Sequence, residues 1–242
     1  MPSVTANGIT IHYEDHGDHA HPAMLLIMGF GAQLTLWPIE LVEGLVARGF
    51  RVIRYDNRDI GLSHKFDGVK APGPVKLTLL ARLGIRPRVP YTLANMADDG
   101  AGLLDALGIA GAHIVGASMG GMIAQHFAAR HTQRTLSLTS IFSTTGNPKL
   151  PPARREAMEV LIRRPASMEE DALVEHGMLL ARTIGSPGYP ADPQRLRANV
   201  TANVRRSVYP EGPTRHLAAI VADGDRRAML ARIAAPTLVL HG

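Results

Sequence analysis

The sequence predicts an α/β fold: a mostly parallel sheet with helices on both faces and an inserted helical cap. Three observations carry this reading. Short apolar runs alternate with helix-patterned stretches through residues 1–146, and strands joined through helices pair in parallel. One of those runs enters a Gly-x-Ser-x-Gly turn centred on Ser118, and a helix-favouring run leaves it. Residues 147–214 carry nine prolines between helical segments and show no strand pattern, so they depart from the sheet.

Each element has a local reason. Residues 4–14 read as two short strands around Asn7-Gly8, a dipeptide that accepts the backbone of a tight hairpin. Ile9, Ile11 and Tyr13 alternate there with polar neighbours. A polar loop over 15–22 leads to the apolar run 24–28, the pattern of a strand covered on both faces. Gly29-Phe30-Gly31 ends it. A helix follows Pro38, with Leu41, Val42, Leu45 and Val46 on one face and Arg48-Gly49 at its close; Trp37 packs at its entry. Residues 51–55 form the next strand, and 56–63 a polar loop at its C-terminal end. Residues 65–90, rich in Pro and Gly, are an excursion. Residues 93–107 have helical spacing and stop at Gly108. The strand at 112–115, the Ser118 turn and a helix at 122–129 follow, then a strand over 136–142. After helices at 154–163 and 168–183, residues 217–233 return as one helix and 236–242 as a buried strand. The expected division is a core over 1–146, a cap over 147–214, and a return to the core over 215–242.

Composition narrows the function. The 242 residues are 45% hydrophobic and 19% charged, which suits a globular chain with a sizeable core. The absence of cysteine excludes disulfides, thiolate metal sites and cysteine nucleophiles. The net charge of +5 reads as a solvated basic surface, much of it arginine between Arg154 and Arg232 interleaved with acids. Without a stacking platform of aromatic residues, nucleic acid is not an expected partner. No apolar run is long enough to cross a bilayer and no secretory signal opens the chain, so a cytoplasmic location is expected. No His/Asp/Glu spacing suggests a metal. The Ser118 turn lacks the Lys of a phosphate loop and the dinucleotide pattern, so no cofactor is expected.

The chemistry centres on Ser118. A serine hydroxyl is a weak nucleophile and must be presented where a base can reach it. A sharp strand-to-helix turn presents it, and leaves no room for side chains two residues either side, where Gly116 and Gly120 stand. The same turn puts the Met119 amide at a helix N-terminus, where negative charge is stabilised.

Four stretches together resemble the α/β-hydrolase superfamily over essentially the whole length: Leu26-Ile27-Met28-Gly29-Phe30-Gly31, Asp56-Asn57-Arg58-Asp59-Ile60-Gly61-Leu62-Ser63, Gly116-Ala117-Ser118-Met119-Gly120-Gly121, and Pro236-Thr237-Leu238-Val239-Leu240-His241-Gly242. The loop at 56–63 and Gly224-Asp225-Arg226-Arg227 are similar to the aclacinomycin-type methyl esterases. The resemblance implies Ser118 as nucleophile and the backbone amides of Phe30 and Met119 as the oxyanion hole. The chain departs from the family at Met28, where His is frequent, and at Asp59, where Gly is usual.

The resemblance also implies an acid a few residues after the strand at 236–242 and a histidine further on, both expected beyond residue 242. The alternative place for the acid, after the strand at 136–142, reads Ser143-Thr144-Thr145-Gly146-Asn147 and has no carboxylate. Among the eleven histidines, His12, His113, His126, His131 and His241 read as structural or surface residues, and His16, His19 and His21 as loop residues. His176 and His216 belong to the cap and its return; His64 is the first outsider for a base, because its loop lies at the correct end of the sheet. Asp56 and Arg58 read as an ion pair fixing their loop, and Asp98-Asp99 as a solvated helix face or cap contact.

The expected function is a serine esterase acting on a small-molecule carboxylic ester, with a separate C-terminal chain as a possible partner. The alternatives are a perhydrolase or C–C hydrolase on the same scaffold, or a silent ligand-binding protein. Activity against simple esters with and without peroxide separates the enzymatic readings.

Overall fold

A computed structural model describes residues 2–241. The chain divides into two compact units, one of Met1–Pro148 with Tyr209–Gly242 and one of Lys149–Val208.

In the first unit, β1 (Ser3–Ala6) and β2 (Ile9–His16) form the hairpin, with Asn7 and Gly8 both at positive φ. β3 (Ala23–Ile27) precedes α1 (Ile39–Val46) and β4 (Arg51–Tyr55). Within the 65–90 excursion the chain makes a helix, α2 (Pro74–Arg82), which its Pro and Gly content concealed. α3 (Leu93–Ala106) is held at its start by a reciprocal Thr92–Asn95 capping box and ends before Gly108 at φ +67°. β5 (Ala112–Ala117), α4 (Met119–Arg130) and β6 (Thr135–Ile141) complete the central run.

The second unit holds α5 (Arg155–Ile162), α6 (Glu170–Ile184) and α7 (Pro193–Arg206). Asp192 caps α7 by accepting from the Arg195 amide, with Pro193 in the first turn. α6 meets α7 closely, because Gly177 leaves room for Val200.

Back in the first unit, two helices stand where one continuous helix over 217–233 was expected, and the first begins earlier, at Glu211. α8 (Glu211–Asp223) stops at Gly224, whose φ of +70° turns the chain, and α9 (Arg227–Leu230) follows. β7 (Thr237–Leu240) then joins the sheet.

The sheet order is β1-β2-β4-β3-β5-β6-β7, antiparallel at β1/β2 and β2/β4 and parallel from β4 to β7. β3 shows why. Leu25 and Ile27 face the core under α3 and α4, while Leu26 and Met28 face the core with Trp37, Val42 and Val52. A strand apolar on both faces needs helices on both sides. β7 departs from the buried strand expected of its composition: Leu238, Val239 and Leu240 are exposed, and it pairs with β6 alone among the described residues.

The topology also sets the site. The chain moves outward from β3 to β4, then crosses back over β3 to β5. The two strands flanking that reversal open a crevice at their C-terminal ends. Gly29-Phe30 follows β3 there and Ser118 follows β5.

Candidate active site

Ser118 sits between β5 and α4 at φ +56° and ψ −119°. Side chains rarely adopt this conformation, and it costs on the order of 1–3 kcal/mol. The surroundings enforce it. The Ser118 amide donates to Ile141 O at 2.9 Å, and the Ser143 hydroxyl donates to Ser118 O at 2.8 Å, so the end of β6 holds the turn. The glycines are obligatory. A Cβ on Gly116 would lie 2.1 Å from Gly120 O, and one on Gly120 would lie 2.0 Å from Ile27 O. The Ser118 side chain itself has no hydrogen-bond partner among the described residues, and the residue is half-buried.

The loop after β3 lies against this turn. A Cβ on Gly29 would fall 3.1 Å from Ser118 Cβ and 3.6 Å from the Met119 amide nitrogen. Among the described residues neither the Phe30 nor the Met119 amide is engaged by a backbone or side-chain acceptor. Two uncommitted N–H groups thus belong to the segments that meet at a half-buried hydroxyl, a set suited to an oxyanion.

Two side chains pin the β3 loop, and the sequence alone singled out neither for this role. Asn57 Nδ2 donates to Met28 O at 2.8 Å. The Gly31 amide donates to His216 Nδ1 at 3.4 Å, and His216 Nε2 donates to Arg58 O at 2.9 Å. Both ring nitrogens are therefore used, and these partners assign the neutral Nε2–H tautomer. Complete burial pushes His216 down to about 4, in keeping with that neutral form.

The 56–63 loop, read from sequence as polar, is buried except at Leu62. The Asp56 carboxylate accepts from the amides of Leu34 and Leu62 at 2.8 and 2.9 Å. The expected Asp56–Arg58 pair is not formed. Arg58 instead makes a two-pronged pair with Asp99, Nε to Oδ2 at 2.6 Å and Nη2 to Oδ1 at 2.5 Å. Asp99 is buried, not on a solvated face. Burial raises its carboxyl, and the Arg58 hydrogen bonds only partly oppose that.

Asp59, at the position where glycine is usual, has φ +66° and no exposure. Its carboxylate is bound by Arg215, by the Tyr91 hydroxyl at 2.6 Å and by the Phe66 amide at 2.8 Å. Burial acts to raise this carboxyl, but the Arg215 hydrogen bonds, joined by those of Phe66 and Tyr91, hold it below the ordinary range.

No described histidine is hydrogen-bonded to Ser118. His126 pairs with Asp223 at 2.6 Å, His131 with Asp98 at 2.9 Å, and His113 with the Ser137 hydroxyl at 2.8 Å. His64 is exposed and packs edge-on against Phe66, with ring centroids 4.9 Å apart.

One further contact set ties the ends of the first unit's two segments. The Arg226 amide donates to Thr145 O at 2.8 Å and Arg226 Nη2 to Thr144 O at 2.7 Å. Gly146, at φ +74°, sits so close to Gly224 O that a Cβ would lie 2.0 Å from it.

Known proteins are similar to this chain in sequence and fold. A rhodomycin D methylesterase, DauP of Streptomyces sp. (strain C5), is 29% identical over 263 residues, covering 100% of this chain and 82% of that protein. The crystal structure of the enol-lactonase from Burkholderia xenovorans LB400 superposes with a TM-score of 0.70 at 25% identity, covering 100% of this chain and 81% of that one. A hydrolase from Pseudomonas aeruginosa PA01 superposes with a TM-score of 0.64 at 29% identity, over 100% and 79% of the two chains. Residues 22–242 match the family model described as alpha/beta hydrolase fold, and the chain belongs to that family.

Proposed function

We propose that this chain is a serine hydrolase cleaving a small or medium carboxylic ester through an acyl-enzyme on Ser118. The observation that carries the reading is the left-handed Ser118 backbone beside the uncommitted amides of Phe30 and Met119. Ser118 Oγ attacks the ester carbon, and the carbonyl oxygen becomes an anion held by those two N–H groups. The alcohol departs with the proton that Ser118 gave up, and water then releases the acid and restores the hydroxyl. The proton carrier is a histidine oriented by an aspartate, as the resemblance implies. The engagement of His216 through both ring nitrogens supports leaving it out of that role. The ester class is supported by the relatives, one named a methylesterase and one an enol-lactonase. Residues 147–214 are proposed as the cap that selects the substrate.

Fluorophosphonate labelling with p-nitrophenyl acetate turnover tests this. Both are expected to vanish in Ser118→Ala, and labelling that survives the substitution overturns the assignment.

A further inference from the structure

The charge of this chain is unevenly placed. Of its 26 Lys and Arg, five lie between Gly68 and Ala97 (Lys70, Lys76, Arg82, Arg86 and Arg88), and none of its 21 Asp and Glu does. The remainder of the chain is formally neutral, so this stretch carries the whole excess of +5. The arginines between Arg154 and Arg232 are offset by acids there and elsewhere. Lys70, Lys76, Arg86 and Arg88 are exposed, and none has an acidic partner among the described residues.

Apolar side chains share the stretch. Val75, Leu79 and Leu83 are spaced four apart along α2 and the residue after it, so they share one face. They are 85%, 57% and 63% exposed, and Ile85 beside them is 51% exposed. Leu77, on the opposite face, is 1% exposed and anchors the helix. A surface helix ordinarily turns its apolar stripe to the core, and α2 turns most of it outward.

The stretch is fastened to the frame. Arg215 Nη1 donates to Val69 O at 2.9 Å, and the Tyr91 hydroxyl and Phe66 amide bind Asp59. These contacts hold it beside the loop after β4, at the end of the sheet that carries Ser118.

We propose that residues 69–88 adsorb to an anionic lipid surface. Val75, Leu79, Leu83 and Ile85 enter the acyl boundary, while Lys76, Arg86 and Arg88 meet the headgroup phosphates. Exposed aliphatics with unpaired cations and no acid fit that occupant. Nucleic acid is a poorer fit, because residues 69–88 have no aromatic residue for base stacking. The inference is independent of the ester chemistry, and its test does not read activity.

The test is cosedimentation of the protein with phosphatidylcholine vesicles, with and without added phosphatidylglycerol. Adsorption is expected only on the anionic vesicles and is expected to weaken as salt rises. Each basic side chain near such a surface contributes about fivefold, so the K76E/R86E/R88E variant is expected to bind at least a hundredfold more weakly. Leu79→Ser with Leu83→Ser is expected to abolish adsorption, and circular dichroism checks that these exposed positions leave the fold intact. No adsorption, equal adsorption to neutral vesicles, or unaffected variants overturn the proposal. Self-association that the serine variants abolish, without vesicle binding, also overturns it and assigns the face to a second copy of the chain.

Discussion

Arg215 grips both carboxylate oxygens of Asp59, Nε to Oδ2 at 2.7 Å and Nη2 to Oδ1 at 2.9 Å, with both side chains buried. The pair joins α8 to the loop after β4 across 156 residues of chain. It also holds Asp59 at a φ that glycine adopts more easily. Removing one partner leaves a buried charge uncompensated, which costs roughly 3–5 kcal/mol. Arg215→Met is therefore expected to lower the denaturant midpoint sharply. Adding Asp59→Gly to that variant is expected to recover much of the loss, since it removes the stranded carboxylate and relaxes the backbone together. A double variant no more stable than Arg215→Met would refute this account.

His216 makes stability depend on pH. Burial depresses its folded-state value to about 4, against about 6.5 for an unfolded histidine. Between those values the unfolded chain binds a proton that the folded chain does not, so stability falls as pH falls. The loss runs from about pH 6.5 down to about 4 and amounts to roughly 3 kcal/mol. Urea midpoints across that window are expected to move less in His216→Gln than in the parent. Parallel curves would remove His216 as the cause.

Replacement of the proposed nucleophile separates strain from chemistry. Ser118→Ala and Ser118→Gly both lack the hydroxyl, but only glycine accepts φ +56° freely. Ser118→Gly is expected to be more stable than Ser118→Ala by on the order of 1–2 kcal/mol. Equal melting temperatures would mean that the turn stores no strain.

Gly29→Ala tests the proposed oxyanion loop. The added methyl meets Ala117 O at 3.0 Å and Ser118 Cβ at 3.1 Å, tight contacts that press the loop carrying the Phe30 amide and the Ser118 turn apart. Loss of one such donor typically lowers kcat by about 10²–10³. A fall of that size in kcat with KM little changed is the expected result. Unaltered kcat would take the Phe30 amide out of the mechanism.

The frame was legible in sequence because two-sided burial and strand-to-helix alternation are written locally. Runs such as Leu25-Leu26-Ile27, and the glycines around Ser118, state their own requirement. The 56–63 loop was not legible, because polar residues signal solvent unless their partners are known. Asp59 and His216 owe their surroundings to partners 156 and 158 residues away, and no local pattern announces such a pairing. α2 was hidden for another reason: prolines and glycines flank it and its apolar stripe faces outward, contrary to the usual helical signal.

The clasp of Thr144–Gly146 by Gly224–Arg226 bears on how such a chain diversifies. The two places where the frame is interrupted and resumed are bound to each other by bonds internal to the frame. Closing a flexible loop between fixed ends costs only about 0.6 kcal/mol more for each doubling of its length. The stretch between them can therefore lengthen, shrink or be exchanged while the frame keeps its registry. A lineage built this way can graft one interchangeable insert after another without refolding the frame that carries it.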